Sequence, residues 1–149
     1  MLENPSLLNL HAFFPYQFSI LAGQISNYIA KIYREKYGLS NFEWRVIATV
    51  GQHQKISAKD VCEFTQLEKM QVSRAISKLS DSGVICQQKS SEDRRASLLT
   101  LSTLGQEMYQ EIIPLVISQE QKMLSGLTAQ ECKQLIFLTK KLSGCLSTK

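Results

Sequence analysis

The stretch EKMQVSRAISKLSDSGVICQQKSSEDRRASLLTLSTLG, residues 68–105, predicts a helix, a glycine stop, a strand, a polar turn and a returning strand. From Lys69 to Arg95 it holds six Lys or Arg and three Asp or Glu, so these 27 residues carry +3 of the chain's net charge of +4. A positive stripe on a helix and a hairpin is the electrostatic pattern expected for contact with nucleic-acid phosphates.

The composition of the 149-residue chain is ordinary for a globular protein, with 44% apolar and 20% charged residues. We expect one domain, or one compact unit with an appended dimerisation arm. No segment approaches the roughly 20 consecutive apolar residues of a membrane span. The N-terminus also lacks the basic flank and apolar run of a signal peptide. These patterns predict a cytoplasmic protein without a membrane partner.

The residue types that carry catalysis and metal binding are not arranged for either. The cysteines at positions 62, 86, 132 and 145 include no C-x-x-C pair and have no histidine nearby, which is not metal-site spacing. His11 and His53 are expected to be structural or surface residues. Because a paired nucleophile and base and a glycine-rich phosphate loop are also missing from the sequence, it predicts no enzyme, no metal and no cofactor.

The chain ahead of the basic stretch predicts two helices with clear boundaries. The first follows an apolar 3- and 4-residue period from Phe13 to about Tyr37 and ends at Gly38, which readily adopts the left-handed conformation. Ser40 and Glu43 have the spacing of a capping box at the start of the second.

A short helix over 58–64 comes next, because Ser57 and Asp60 repeat the capping spacing. A brief turn at 65–67 leads into the basic helix, 69–82. Two helices joined by a turn of three or four residues are typical of a helix-turn-helix motif.

The basic helix separates into two faces at 100° per residue. Its apolar face, expected to pack on the core, comprises Val72, Ala75, Ile76 and Leu79. The opposite face is short, polar and capable of hydrogen bonding, whereas a merely solvated helix more often carries Glu–Lys pairs. That face consists of Met70, Ser73, Arg74 and Ser77, with Gln71 and Lys78 on its flank.

Two more helices are predicted after the hairpin of 84–89 and 96–101. Ser102 or Thr103 caps the first of them, in which Pro114 predicts a kink or a break. Thr128 and Glu131 have capping-box spacing at the start of the last helix.

In this order of elements the chain resembles the MarR family of winged-helix transcription regulators, over about residues 12–146. The most specific part is DRRASLLTLS, from Asp93 to Ser102, followed by Gly105. It is similar to the family's wing, in which D-x-R precedes a strand ending in Leu-Thr or Leu-Ser, and a glycine lies in the next helix.

The recognition helix of the family is also similar to a segment of this chain. Val72-Ser73-Arg74, with Leu79 and Gly83, carries that resemblance. Two positions depart from the pattern: many relatives have Gly in the turn where this chain has Gln66, and Ser, Thr or Asp at the helix cap where it has Glu68.

The resemblance implies a mainly α fold with a small β-hairpin wing. Residues 38–102 would form the winged helix-turn-helix DNA-binding domain, and residues 1–37 and 103–149 the helical region through which two chains dimerise. The implied function is that of a sequence-specific double-stranded DNA-binding regulator, expected to repress, which acts as a homodimer on a pseudo-palindromic operator. Leu7, Leu8 and Leu10 favour a dimer independently, because they would be exposed in a monomer.

DNA contacts are expected from the basic helix. Arg74 can offer a bidentate fork to guanine, with Gln71 and Ser73 as further donors and acceptors. Lys69 and Lys78 are expected to meet phosphates, which fix position without reading sequence.

The hairpin tip is expected to contribute a second set of contacts. Arg95 is predicted to enter a minor groove, where narrow A·T-rich tracts concentrate negative potential. Asp93 would hold its guanidinium, and Arg94 is the second choice for the tip. The complete predicted set is Lys69, Met70, Gln71, Ser73, Arg74, Ser77, Lys78, Asp93, Arg94 and Arg95.

Nine of the 12 aromatic residues lie between positions 13 and 44. In the family, small aromatic or phenolic effectors often bind between the dimer helices and the winged domain. One interpretation is therefore a ligand site that uses Tyr16, Tyr28, Tyr33 or Trp44. The other is that these aromatic residues form the core and the dimer contact.

Two alternatives to ligand-controlled DNA binding stay open. One is a regulator of the same fold that senses oxidants through Cys62 or Cys86, which flank the basic helix. The other is a winged-helix protein-interaction module without DNA binding. The latter predicts an apolar recognition face, whereas Met70 is the only large apolar residue there.

Overall fold

The computed structural model describes residues 7–89, 92 and 97–147. After a 3₁₀ turn at Leu10–Ala12 the elements are α1 (Phe14–Tyr37), α2 (Asn41–His53), β1 (Ile56–Ser57), α3 (Ala58–Thr65), α4 (Lys69–Asp81), β2 (Ile85–Lys89), β3 (Ser97–Leu101), α5 (Thr103–Leu124) and α6 (Ala129–Ser147). The predicted fold class, mainly helical with a small sheet, is confirmed.

Local capping sets the ends of the helices. At α2, Ser40 Oγ accepts from the Glu43 backbone N–H at 3.2 Å, and Glu43 Oε2 accepts from the Ser40 N–H at 3.0 Å. At α6, Thr128 Oγ1 accepts from the Glu131 N–H at 3.2 Å, and Glu131 Oε2 accepts from the Thr128 N–H at 2.7 Å. Both predicted capping boxes are confirmed, and Gly38 ends α1 at φ 64° as predicted.

The strands form an antiparallel sheet in the order β1–β3–β2. Strands β2 and β3 pair from Ile85 opposite Leu101 to Lys89 opposite Ser97, which confirms the predicted hairpin. The sequence did not predict β1, which pairs with the other side of β3. Leu99, in the middle of β3, is completely buried and anchors the central strand in the core.

The chain divides into two compact units, Met1–Ile113 and Pro114–Lys149. In the first unit the core is centred on α2, where Val46, Ile47 and Val50 are completely buried. Val61 of α3 is buried to the same extent. Burying a side chain of this kind contributes about 1.5–3 kcal/mol, so α2 and α3 hold the base on which the next helix packs.

The second unit has no buried residue between positions 114 and 147. The sequence predicted a kink or a break at Pro114; helix α5 continues through Pro114 to Leu124, so the helix does not break there. Helix α6, which lies in the same unit, exposes apolar side chains that include Leu135, Ile136 and Leu142.

Among the helices that the structure describes, none is long and apolar enough to cross a membrane. The division of the chain at residues 38 and 102 stays a prediction.

Candidate nucleic-acid interface

Helix α4 is buried along one side. Val72, Ala75, Ile76 and Leu79 are only 1–6% exposed, which confirms the predicted core face. These four positions fix the rotation of α4 about its own axis, because turning it would bring polar side chains into the core.

The opposite side of α4 is open to solvent. Arg74 is exposed and forms no hydrogen bond or ion pair within the part of the chain that the structure describes. The side chains around it are also exposed, and two of them, Ser73 and Ser77, are short and polar. An exposed guanidinium beside small polar groups can approach the edges of base pairs. We call this surface the α4 face; it comprises Lys69, Met70, Ser73, Arg74, Ser77 and Lys78.

The start of α4 is capped by Glu68 and Gln71, whereas serine or threonine caps α2, α3 and α6. Gln66, in the preceding turn, adopts a left-handed φ of 58°, a conformation for which glycine is the usual residue. At the cap position, the Glu68 backbone N–H donates to Gln71 Oε1 at 3.2 Å. Gln71 is half-buried, and its oxygen is engaged at the helix start. Only its amide nitrogen is therefore left to donate to a base.

The tip of the wing falls outside the described residues, and this includes Asp93, Arg94 and Arg95. The base of the wing is described. Gln87 Nε2 of β2 donates to Ser80 Oγ of α4 at 2.8 Å, and Ser97 Oγ of β3 donates to Gln87 Oε1 at 3.2 Å. Gln87 therefore links both wing strands to the helix beside them.

A close backbone approach joins the wing to α5. Ser102 Oγ lies 3.0 Å from the Val84 carbonyl oxygen and accepts from the Gly105 N–H at 3.0 Å. A Cβ atom at position 105 would lie 2.2 Å from that same carbonyl oxygen, so a side chain cannot fit without moving the backbone. This contact explains why the wing segment is followed by glycine.

Lys78 is held by an acidic partner that the sequence suggested only as a helix cap. Its Nζ lies 2.9 Å from Glu43 Oε1, and the Glu43 side chain is 7% exposed. Lys78 was expected to contact a DNA phosphate, but in the structure it forms an ion pair with Glu43.

The four aromatic residues predicted for a ligand site do not come together in one chain. Tyr33 and Trp44 stack at a centroid distance of 5.5 Å. Tyr16 lies near the other end of α1, where it meets His11 edge-on. Seventeen residues of helix separate Tyr16 from Tyr33, about 25 Å at 1.5 Å per residue. Tyr28 is half-buried on the helix between them.

Tyr33 joins α1 to the start of α2. Its hydroxyl donates to Asn41 Oδ1 at 3.0 Å, and Asn41 Nδ2 donates to Ser26 Oγ at 3.1 Å. Burial raises the pKa of Tyr33 above its ordinary value of 10.0, and the nearby Arg45 and Arg34 partly offset that rise. The neutral phenol is thus the favoured form in the folded protein.

Replacing Tyr33 with Phe is expected to lower the free energy of unfolding by about 1 kcal/mol at neutral pH, because one hydrogen bond is lost. Since the folded-state pKa is raised, the contribution of Tyr33 is fully present below pH 10.0 and is lost as the pH rises through the folded value. Urea unfolding at neutral pH and at about pH 10.5 measures both effects. If the wild-type and Tyr33→Phe proteins lose the same free energy of unfolding between the two pH values, the role assigned to the Tyr33 phenol is contradicted.

The cysteines and histidines form no cluster that could hold a metal ion within the described residues. Cys62 and Cys132 are half-buried, whereas Cys86 and Cys145 are exposed. His53 packs edge-on against Phe64 at 4.8 Å, and its Nδ1 lies 2.8 Å from the Thr49 carbonyl oxygen. His53 is exposed and makes these local contacts, in agreement with the expectation of a structural or surface residue.

Residues 37–96, which include α2, α3 and α4, match the family model described as MarR family. A MarR/EmrR family transcriptional regulator from Acinetobacter sp. ADP1 is 27% identical, with a TM-score of 0.84 over 95% of this chain and 100% of that one. The chain is therefore similar to MarR-family regulators in sequence and in fold. The HTH-type transcriptional regulator BilQ of Clostridium symbiosum is 26% identical over 108 residues, 72% of this chain and 75% of that protein. Both of these relatives are described as transcriptional regulators.

The fold recurs in a MarR-family regulator from Listeria monocytogenes, whose structure is a complex with a 26mer DNA. It is 20% identical, with a TM-score of 0.80 over 90% of this chain and 89% of that one. At this identity the likeness is one of fold.

Two residues at this site were missed as site residues by sequence reasoning. Glu43 was recognised only as a cap, because its ion pair with Lys78 spans 35 positions and leaves no local pattern. Gln87 has no sequence signal, since its role comes from pairing in the sheet and from contact with α4.

Proposed function

We propose that this protein is a sequence-specific double-stranded DNA-binding repressor, which acts as a homodimer on a pseudo-palindromic operator. The observation that carries the proposal is the α4 face. It presents Arg74, which has no ion pair or hydrogen bond among the described residues, beside Ser73 and Ser77 on a helix whose other side is buried.

Helix α4 is the recognition helix in this proposal and lies in the major groove. Arg74 donates to guanine O6 and N7, while Ser73 and the Gln71 amide supply further hydrogen bonds to base edges. Lys69, at the start of the helix, meets a phosphate. A dimer held over a promoter in this way excludes the polymerase and represses transcription.

The wing contributes the minor-groove contact in this proposal. Arg95 enters the groove and Asp93 steadies its guanidinium, with Arg94 as the second choice. The short Ser80–Gln87–Ser97 chain of hydrogen bonds supports this role, because it fixes the direction in which the wing leaves α4.

Dimerisation is supported by the apolar side chains left exposed in a single chain. On the N-terminal side they include Leu7, Leu8 and Phe14. In α6, Phe137 and Leu138 are likewise exposed. Exposed apolar patches of this extent mark interaction sites, and a twofold dimer would place two recognition helices in successive major grooves.

DNA binding by this chain is also supported by its relatives. The Listeria neighbour was crystallised with DNA, and another neighbour of the same fold, the Escherichia coli MarR variant C80S, was crystallised with operator DNA.

An anisotropy titration of the protein's own promoter DNA at several salt concentrations tests the proposal. We expect tight binding, with the logarithm of the affinity falling linearly with the logarithm of the salt concentration, at a slope of about −0.9 per neutralised phosphate. A scrambled duplex of equal length is the control. Equal affinity for the two duplexes, or tight binding without salt dependence, would contradict the proposal.

A small aromatic effector completes the proposal. Trp44 lines an open hollow of about 230 Å³ together with Arg45, Ala48 and Phe64, among others. The aromatic walls suit a ring and the guanidinium suits an acid group, and the volume limits the ligand to about one ring. Such a ligand releases the protein from DNA only if its affinities for the bound and released states differ. The same titration in the presence of a benzoate-type acid tests this.

A further inference from the structure

We propose that Glu43 positions the recognition helix through Lys78, and that Lys78 is not one of the phosphate contacts. The inference rests on the proposed function, since it concerns how α4 is presented to DNA. It replaces the role that the sequence suggested for Lys78 with a different one.

Both oxygens of the buried Glu43 carboxylate are engaged. Oε2 accepts from the Ser40 backbone N–H at 3.0 Å, and Oε1 lies 2.9 Å from Lys78 Nζ. A buried carboxylate is costly unless it is paired and hydrogen-bonded. If Lys78 swung out to a phosphate, Oε1 would lose its cation and stay buried. The ion pair is therefore favoured over a phosphate contact by Lys78, even though the Lys78 side chain is exposed.

The ends of the two helices add to the attraction. Glu43 lies in the first turn of α2, where the helix dipole favours an anion, and Lys78 lies in the last turn of α4, where it favours a cation. The ion pair therefore joins the start of one helix to the end of the other.

Arg74 lies four residues before Lys78, so the two side chains are neighbours on the same side of α4. Arg74, Lys78 and Glu43 line one hollow of about 460 Å³ between α2 and α4. Fixing Lys78 to α2 therefore limits the tilt of α4 at the turn next to Arg74. The ion pair therefore controls the direction from which the Arg74 side chain approaches a base.

The two roles of Lys78 predict different measurements. A phosphate contact supports binding to any duplex, and its loss reduces the salt slope by about 0.9 per phosphate, hence about two for a dimer. A positioning residue supports only the contacts that depend on geometry. Its loss lowers affinity for the specific site and leaves the salt slope unchanged.

The experiment compares Lys78→Met, Glu43→Gln and the double variant in the full chain. Gln at position 43 keeps the capping box, because Glu and Gln both serve there. The DNA is a duplex selected by the wild-type protein from a randomised pool, and a scrambled duplex serves as the non-specific probe. Lys69→Met is the matched control, since Lys69 is a lysine of the same helix without a described ion pair.

We expect each single variant to lower affinity for the selected duplex by about tenfold, within the range measured for coupled contacts, and the double variant to be no weaker than either. Affinity for the scrambled duplex and the salt slope should be unchanged. Lys78→Arg, which can keep the ion pair with Glu43, should bind the selected duplex as the wild-type protein does. Lys69→Met should weaken both duplexes and reduce the salt slope.

Three results would overturn the inference. A salt slope reduced by Lys78→Met as by Lys69→Met would make Lys78 a phosphate contact. A lower thermal midpoint with an unchanged ratio of specific to non-specific affinity would make the pair purely structural. Additive losses in the double variant would mean that the two residues act separately. If the wild-type protein selects no duplex at all, the proposed function itself fails.

Discussion

Leu138→Asp in α6 is expected to convert the dimer to monomers and to reduce operator affinity by about 100-fold or more. Leu138 is 58% exposed in the single chain, and the dimer proposal places it in the interface. A charge there cannot be buried without a partner. Two linked half-sites gain roughly 10²–10⁴ in avidity over one, so the loss of the dimer removes that factor.

Sedimentation velocity and anisotropy measure the two effects on the same sample. The control is Lys133→Asp, which changes the charge more but lies on the side of α6 opposite Leu138, at 100° per residue. Far-UV circular dichroism should be equal for both variants, since no residue of α6 is buried within one chain. A Leu138→Asp protein that stays dimeric would exclude this side of α6 from the interface.

Much of the fold could be predicted because helix boundaries are set by local contacts. The capping boxes at Ser40 and Thr128 involve a residue and its neighbour three positions on, so the spacing alone reveals them. The same holds for Ser57, whose Oγ accepts from the Asp60 N–H at 3.1 Å. The two faces of α4 followed from its period, since every buried position has another buried position three or four residues away.

What the sequence could not reveal depends on distant contacts. Strand β1 has only two residues, and Ile56 pairs with Leu99, 43 positions away. The ion pair of Glu43 with Lys78 and the bridge at Gln87 also join separate elements. The aromatic residues predicted for a ligand site are close in sequence but do not come together in space, because α1 is a single long helix. Sequence reasoning therefore located the α4 face and its apolar support, but missed the polar contacts of Glu43 and Gln87.

Arg74→Lys is expected to lower affinity for the operator by about 100-fold, although the net charge is unchanged. A bidentate pair with guanine contributes about 1–3 kcal/mol, and a twofold dimer makes it twice. Lysine supplies a point charge in place of a planar fork, so it cannot make both hydrogen bonds in the same geometry. Because the charge is kept, affinity for a scrambled duplex and the salt slope should change little.

Anisotropy titrations with the selected and scrambled duplexes measure this difference directly. Arg34→Lys is the control, since Arg34 is an exposed arginine on a different helix, α1. Repeating the selection with the Arg74→Lys protein should give sites with relaxed preference at the guanine that Arg74 reads. If Arg74→Lys binds the operator like the wild type, then Arg74 acts only through its charge. Sequence reading would in that case belong to Ser73 and Gln71, the other hydrogen-bonding groups proposed to meet base edges.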